Sequence, residues 1–359
     1  MPRRAQPGTS QTMTVTPPSP AGPDPSPAID KLPEVIASLR GLGLLAQGEV
    51  PSFTPLTGGV SSDILLATVA GRTFCIKRAL PKLKVAALWE APVERNAAEA
   101  AWLRTVAQWL PGSVPHLLGE DASRGLFAME YLAPERYPVW KNQLRDGVVD
   151  GSFAALVGAR LVEIHRHSAD RTDLAALFAN DATFEPIRIE PYLRATALRH
   201  PDLADALDEI ATRTLATRQA LVHGDISPKN ILCGPQGPVF LDAECAWYGD
   251  PAFDLAFCLN HLLLKSAWKP QWRAGYRDCF ERLAAAYLSR VDWEPPASFE
   301  ARCARLLPGL WLARIDGKSP VEYLVDEPRR AQVRQAARRL LERPVARIGD
   351  IAQFWSEQT

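Results

Sequence analysis

The stretch LVHGDISPKNIL, residues 221–232, constrains this chain more than any other: His223, Asp225, Lys229 and Asn230 crowd between two short apolar runs. The flanking runs are ready for burial, yet an unpaired charge inside a core is expensive. The loop therefore has to lie at the mouth of a cleft, where cations, anions or water partner its side chains. Pro228 stiffens the loop between Asp225 and Asn230, and the apolar run VFL then ends on Asp242. A hairpin between these pieces brings Asn230 and Asp242 together as hard oxygen donors suited to magnesium with bound phosphates. Asp225 is then free to face a substrate hydroxyl.

The preceding chain supplies matching parts. In SFTPLTGGVSSDILLATVAGRTFCIKRAL, runs rich in β-formers flank Gly58–Gly59 and a second turn at residues 70–72, which predicts three antiparallel strands joined by two hairpins. Gly58, Gly59, Ser61 and Ser62 form a small-residue turn able to bring backbone N–H groups near anionic oxygens. Lys77 follows apolar neighbours in FCIKR, and Glu99 lies on the helix predicted for PVERNAAEAAWLRTVAQWL, placed to hold the lysine toward phosphates. Together these are the parts of a phosphoryl-transfer site, where positioning and electrostatics carry most of the catalysis. Two further strands are predicted in VPHLLGE and GLFAMEYL; after Pro134 the pattern is mainly helical, broken by short β pieces around 219–223, 230–233 and 238–242.

Charge and composition exclude other classes. Lys plus Arg (41) equal Asp plus Glu (41), so no charge excess draws the chain to nucleic acid. Six cysteines are scattered without a CxxC pair, as expected for reduced thiols. The N-terminus lacks an apolar core typical of a secretory signal, and no apolar run is long enough to span a membrane, so a cytoplasmic protein is expected. Residues 1–28, rich in Pro, Ser, Thr and Gly, are expected to be disordered; residues 29–133 read as a nucleotide-binding lobe and 134–359 as a catalytic and substrate-binding lobe.

The motifs LTGGVSSDILL, FCIKR, RNAAE, FAMEYL, LVEIH, LVHGDISPKNIL and FLDAECAWYGDPAFDLAF occur in the order of a known family. The chain resembles the aminoglycoside phosphotransferase and choline kinase superfamily over roughly residues 53–265. That resemblance implies an α+β, two-lobed protein-kinase-like fold: a small antiparallel-β lobe with one main helix, and a larger helical lobe. It also implies ATP and Mg²⁺ as cofactors and a small-molecule alcohol as acceptor. Asp225 is then the catalytic aspartate, and Asn230 and Asp242 hold magnesium. Lys77 contacts the α- and β-phosphates and pairs with Glu99, while the backbone of Met129, Glu130, Tyr131 and Leu132 binds adenine. Asp254 braces the catalytic loop, and His223 and His165 are read as packing or loop-fixing residues.

Departures from protein kinases narrow the acceptor. Asp242 is followed by AEC rather than FG, and the short run to GDPAFDLAF leaves no room for an ordinary activation loop. A sugar, amino alcohol or aminoglycoside-like compound is expected instead of a peptide. The closing segment RIGDIAQFWSEQT is only mildly acidic, which disfavours a polycationic aminoglycoside. MEYLAPERYPVWKNQLRDG and FEPIRIEPYLRATALRHPDL are similar to methylthioribose kinases, although Asn230 departs from the pattern usual there. A nucleotide-binding regulator that kept the fold without catalysis is the alternative; it predicts a missing Lys, Asp or Asn, and none is missing.

Overall fold

The structure is a computed structural model that describes residues 32–56, 62–79 and 95–358. The Pro-rich tail of 1–28 and the turn residues Gly58, Gly59 and Ser61 lie outside the described residues. Helix α1 (Leu32–Gly41) precedes β1 (Ser52–Pro55), β2 (Ser62–Val69) and β3 (Arg72–Ala79). Then come α2 (Arg95–Trp109), β4 (Leu117–Asp121) and β5 (Leu126–Glu130). The five strands form one antiparallel sheet in the order β1-β2-β3-β5-β4. Ala70 and Gly71 turn β2 into β3 with φ of 47° and 75°, the double positive-φ geometry of a tight hairpin.

Strand alternation assigns the two sheet faces. Phe74 and Ile76 of β3, with Leu126 and Ala128 of β5, join Val35 and Leu39 of α1 in a small core. Their neighbours one residue on point the other way, so Lys77, opposite Phe127 in the ladder, emerges on the face that looks toward the helices.

The rest of the chain is the helical body. It begins with α3 (Trp140–Arg145), α4 (Gly151–Ser168), α5 (Thr172–Leu177) and α6 (Asp181–Phe184), followed by a π-helical segment at Glu185–Arg194. Next are α7 (Ala195–Arg199) and α8 (Ala204–Ala216), then four short strands: β6 (Ala220–Val222), β7 (Ile231–Gly234), β8 (Gly237–Phe240) and β9 (Trp247–Gly249). The chain closes with α9 (Ala252–Trp268), α10 (Arg273–Leu288), α11 (Pro296–Asp316), α12 (Glu327–Glu342) and α13 (Ile348–Glu357). The large core runs from Trp102, Leu103 and Val106 of α2 and Phe127 of β5 into α4, α9, α10 and α11. The fold is thus the α+β arrangement expected, while β9 and the π-helical segment were not anticipated from the sequence. All six cysteines are unpaired, and among the described residues no helix is long and apolar enough to cross a membrane.

Candidate active site

The site is built where the β6–β7 loop meets the end of β8. β6 pairs with β9 and β7 pairs with β8, both antiparallel, so the loop carrying Asp225 is anchored at each end by a two-stranded ladder. The β7–β8 register pairs Ile231 with Phe240, and one step further Leu241 N–H donates to Asn230 O at 2.9 Å. That step brings Asn230 beside Asp242, the juxtaposition expected from the hairpin.

Asp254 at the start of α9 holds the loop from below. Its carboxylate accepts the N–H groups of His223 at 2.7 Å and Gly224 at 2.8 Å, and it faces His165 Nε2 at 3.3 Å. Gly224 sits at φ 80°, and a Cβ there would meet Cys245 O at 2.8 Å, so glycine is required on both counts. His223 Nδ1 accepts the Asp225 N–H at 3.2 Å, leaving Nε2–H to donate to Leu241 O at 3.0 Å. Burial holds this imidazole below its ordinary pKa, consistent with a neutral ring that fixes the loop. Asp254→Ala leaves two buried backbone donors unanswered and is expected to cost about 3 kcal/mol of stability; urea unfolding of the variant measures it.

Asp225 is buried and bound on one oxygen. Its Oδ2 meets Arg188 at 3.1 Å and Lys229 at 3.0 Å, whereas Oδ1 has only a long 3.5 Å contact from Ser227. Burial opposes ionisation, but Lys229 and then Arg188 outweigh it and hold the carboxyl below its usual range. Oδ1 is therefore an ionised acceptor available to a hydroxyl. Arg188 comes from the π-helical segment, where it also donates to the carbonyls of Gly224 and Ile187. Sequence reasoning missed this arginine.

Lys77 is buried and bridges the two parts of the molecule. Its ammonium donates to Glu99 at 2.5 Å and also to Asp242. Burial works against its charge, yet Asp242, Glu99 and Glu244 together raise its pKa. Asp242 is pushed toward neutrality by burial, but Lys77 and Lys229 more than reverse this and keep it ionised. Asp242 also adopts φ 67°, a left-handed backbone conformation rare for a residue with a Cβ and a mark of local strain. Glu99 is thus the buried partner of Lys77 expected from the sequence. Arg95 lies 3.2 Å from Glu244, tying α2 to the segment after Asp242.

Burial is the strongest influence on Glu99 and pushes its carboxyl up to about 7 against the pull of Lys77. A folded-state pKa above the unfolded value means that stability is lost as pH rises toward about 7. Glu99→Gln removes that dependence while Lys77 keeps Asp242. The melting temperature of the variant relative to the parent is expected to rise between pH 5 and pH 8, checked by thermal melts at both values.

The remaining expected residues occupy distinct places. Asn230 donates its amide N–H to Asp225 O at 3.1 Å, and its Oδ1 makes no hydrogen bond among the described residues. Met129 is tied into the ladder between β3 and β4. The Glu130 N–H is used by His116 O, and the Glu130 carboxylate turns back to the His116 N–H at 3.3 Å. Tyr131 and Leu132 follow the strand end with N–H groups that have no partner among the described residues. Ser62 opens β2 opposite Ala79, with its hydroxyl buried and without a hydrogen bond among the described residues. A cavity of about 290 Å³ opens beside Asp225 and Asp242 and is walled by the π-helical segment, α9 and α11.

A sheet face carrying a buried lysine over a helical body, with that lysine bridged to a carboxylate on a short hairpin, defines the class of kinase-like phosphotransferases. Comparison makes the assignment specific: a model described as the phosphotransferase enzyme family matches residues 52–298, and the chain belongs to this family. A methylthioribose kinase of Pectobacterium atrosepticum is 26% identical over 282 residues, covering 67% of this chain and 70% of that protein. Methylthioribose kinase 2 of Oryza sativa subsp. japonica is 24% identical over 234 residues, covering 58% of this chain and 55% of that protein. The chain thus spans only about half the length of some curated relatives that it matches. Among solved structures, an ethanolamine kinase of Plasmodium vivax shares 13% identity with TM-score 0.55, covering 88% of this chain and 89% of that one. A spectinomycin phosphotransferase bound to ADP and spectinomycin shares 12% identity with TM-score 0.51, covering 91% and 98%. These structures share the fold.

Proposed function

We propose that the protein transfers the γ-phosphate of ATP to a hydroxyl of a small molecule. The observation that carries this reading is Lys77 held between Glu99 and Asp242, beside the ionised Asp225 at the mouth of a cavity. Residues 29–133 serve as the nucleotide-binding lobe and 134–359 as the catalytic and substrate lobe. Adenine lies against the strand end, with the free N–H of Leu132 as a donor. Lys77 rests on the α- and β-phosphates once nucleotide enters.

Asn230 Oδ1 and the Asp242 carboxylate are hard oxygen donors with capacity left, which fits Mg²⁺, an ion that takes few protein ligands and keeps water and phosphate oxygens. Bound there, it would offset charge on the phosphates. Asp225 orients the acceptor hydroxyl through Oδ1 and takes its proton late, since a carboxylate held below its ordinary pKa is a weak base. Lys229 and Arg188 keep Asp225 ionised until that transfer.

The methylthioribose kinase relatives favour a sugar among the possible acceptors. ADP release from ATP and Mg²⁺ across a panel of neutral and anionic sugars, amino alcohols and aminoglycosides tests the reading. Product formation on at least one acceptor is expected; nucleotide binding without turnover across the panel would instead favour a regulator that kept the fold.

A further inference from the structure

Resting on the phosphotransfer reading, and deepening it, we propose that the acceptor carries an anionic group, a carboxylate or a phosphate, bound by Lys265 and Arg314. The cavity beside Asp225 is lined by five cationic side chains, and three already have carboxylate partners. Arg188 and Lys229 are on Asp225, and Lys141 is on Glu322. Lys265 and Arg314 have none among the described residues.

Lys265 is the sharper case. It is 1% exposed, lines the cavity, and its Nζ makes no hydrogen bond among the described residues. Its nearest polarisable neighbours are the rings of Tyr323 at 4.7 Å and Trp268 at 5.6 Å, which offset only part of the cost of a buried ammonium. Burial, followed by repulsion from Lys141, pulls its pKa down to about 8 against the weaker attraction of Glu322, which lines the same cavity beyond ion-pair distance. Arg314 spends one nitrogen on Ser319 and Tyr192, while its Nε is buried without a hydrogen bond among the described residues. Lys265, buried in the cavity wall, and Arg314, half-buried beside the same cavity, are answered together by an anion that enters it.

Helix α9 supplies the ruler. Phe257, His261 and Lys265 are spaced four apart along one helix face and line the same cavity. Arg188, the partner of Asp225, lies 6.0 Å over the Phe257 ring, so the start of this row is next to the catalytic carboxylate. Lys265 begins about 12 Å further along the axis, at 1.5 Å per residue, and its side chain reaches back over part of that distance. This separation fits a molecule of sugar size with the hydroxyl at one end and the anion at the other. Methylthioribose, which has no charge at neutral pH, would leave both cations unanswered.

The test pairs each neutral acceptor with its anionic counterpart: glycerol with glycerate, glucose with gluconate, and ribose with ribose 5-phosphate. ADP release is measured for the full chain and for Lys265→Met, which keeps the buried stem without the charge. An anionic member is expected to exceed its neutral partner at least tenfold in kcat/KM, and K265M is expected to raise its KM by about tenfold to a hundredfold. The phosphate pair and the carboxylate pairs separate the two anion sources. Preference for the neutral members, or an equal effect of K265M on both members of a pair, overturns the anion subsite alone. A lysine with only a structural role would lower the melting temperature of K265M and leave KM unchanged, which also overturns it. No ADP from any pair, with ATP still bound, overturns the phosphotransfer reading itself.

Discussion

Asp225→Asn is expected to lower kcat by about 10²- to 10⁴-fold while ATP still binds. The substitution preserves shape but removes the charge at Oδ1 that orients the acceptor hydroxyl. The fold tolerates it because the cations on Oδ2 have other partners: Arg188 retains the carbonyls of Gly224 and Ile187, and Lys229 is half-exposed and reaches water. KM for ATP is expected to stay within about threefold, since Asp225 faces the acceptor and not the nucleotide. Single-turnover kinetics with equilibrium nucleotide binding separate the two effects; near-parental turnover removes Asp225 from the chemistry.

Asp242→Asn is expected to be at least as damaging to turnover, on the order of 10³-fold, and unlike the first to weaken nucleotide binding as well. Asp242 is the strongest opposite-charge partner of Lys77 and the only carboxylate paired with Asn230 in the proposed metal set. An amide at this position weakens the donor for Mg²⁺ and leaves Lys77 with Glu99 alone. It should also lower the affinity for MgATP more than for ATP measured in a chelator. Titrations with and without Mg²⁺ check that difference; equal losses in both would place Asp242 away from the metal. The backbone at φ 67° is more readily adopted by Asn than by most residues, so the substitution tests charge with little change in strain.

Much of the site was legible because charge inside an apolar context is informative. Asp225, Asn230 and Asp242 stood out as polar residues bounded by strand-like runs, and the hairpin register that joins two of them follows from the short turn at Gly234–Gly237. Lys77 was legible from strand alternation, which sends Phe74 and Ile76 to one face and the lysine to the other. Asp254 was legible as a brace only through the resemblance to a family, and the three contacts it makes give the physical reason.

Other parts were hidden for physical reasons. Arg188 sits in a π-helical segment whose side-chain period is not that of an α-helix, so no apolar stripe frames it. Lys265 falls in the last turn of α9, where a lysine ordinarily favours the helix dipole and water, yet it is buried with the rings of Trp268 and Tyr323 beside its ammonium. The Arg95–Glu244 pair joins residues 149 apart in the chain, a pairing that periodicity alone does not reveal. In each case the missing information was tertiary.

A crystal structure with Mg²⁺ and a non-hydrolysable ATP analogue tests the central claim most directly. The account predicts Lys77 Nζ on the α- and β-phosphates, a metal bridging the phosphates to Asn230 and Asp242, and the γ-phosphate facing Asp225 Oδ1 across the cavity mouth. A nucleotide seated elsewhere, or a triphosphate turned away from Asp225 with Lys77 still closed on Asp242, would contradict it.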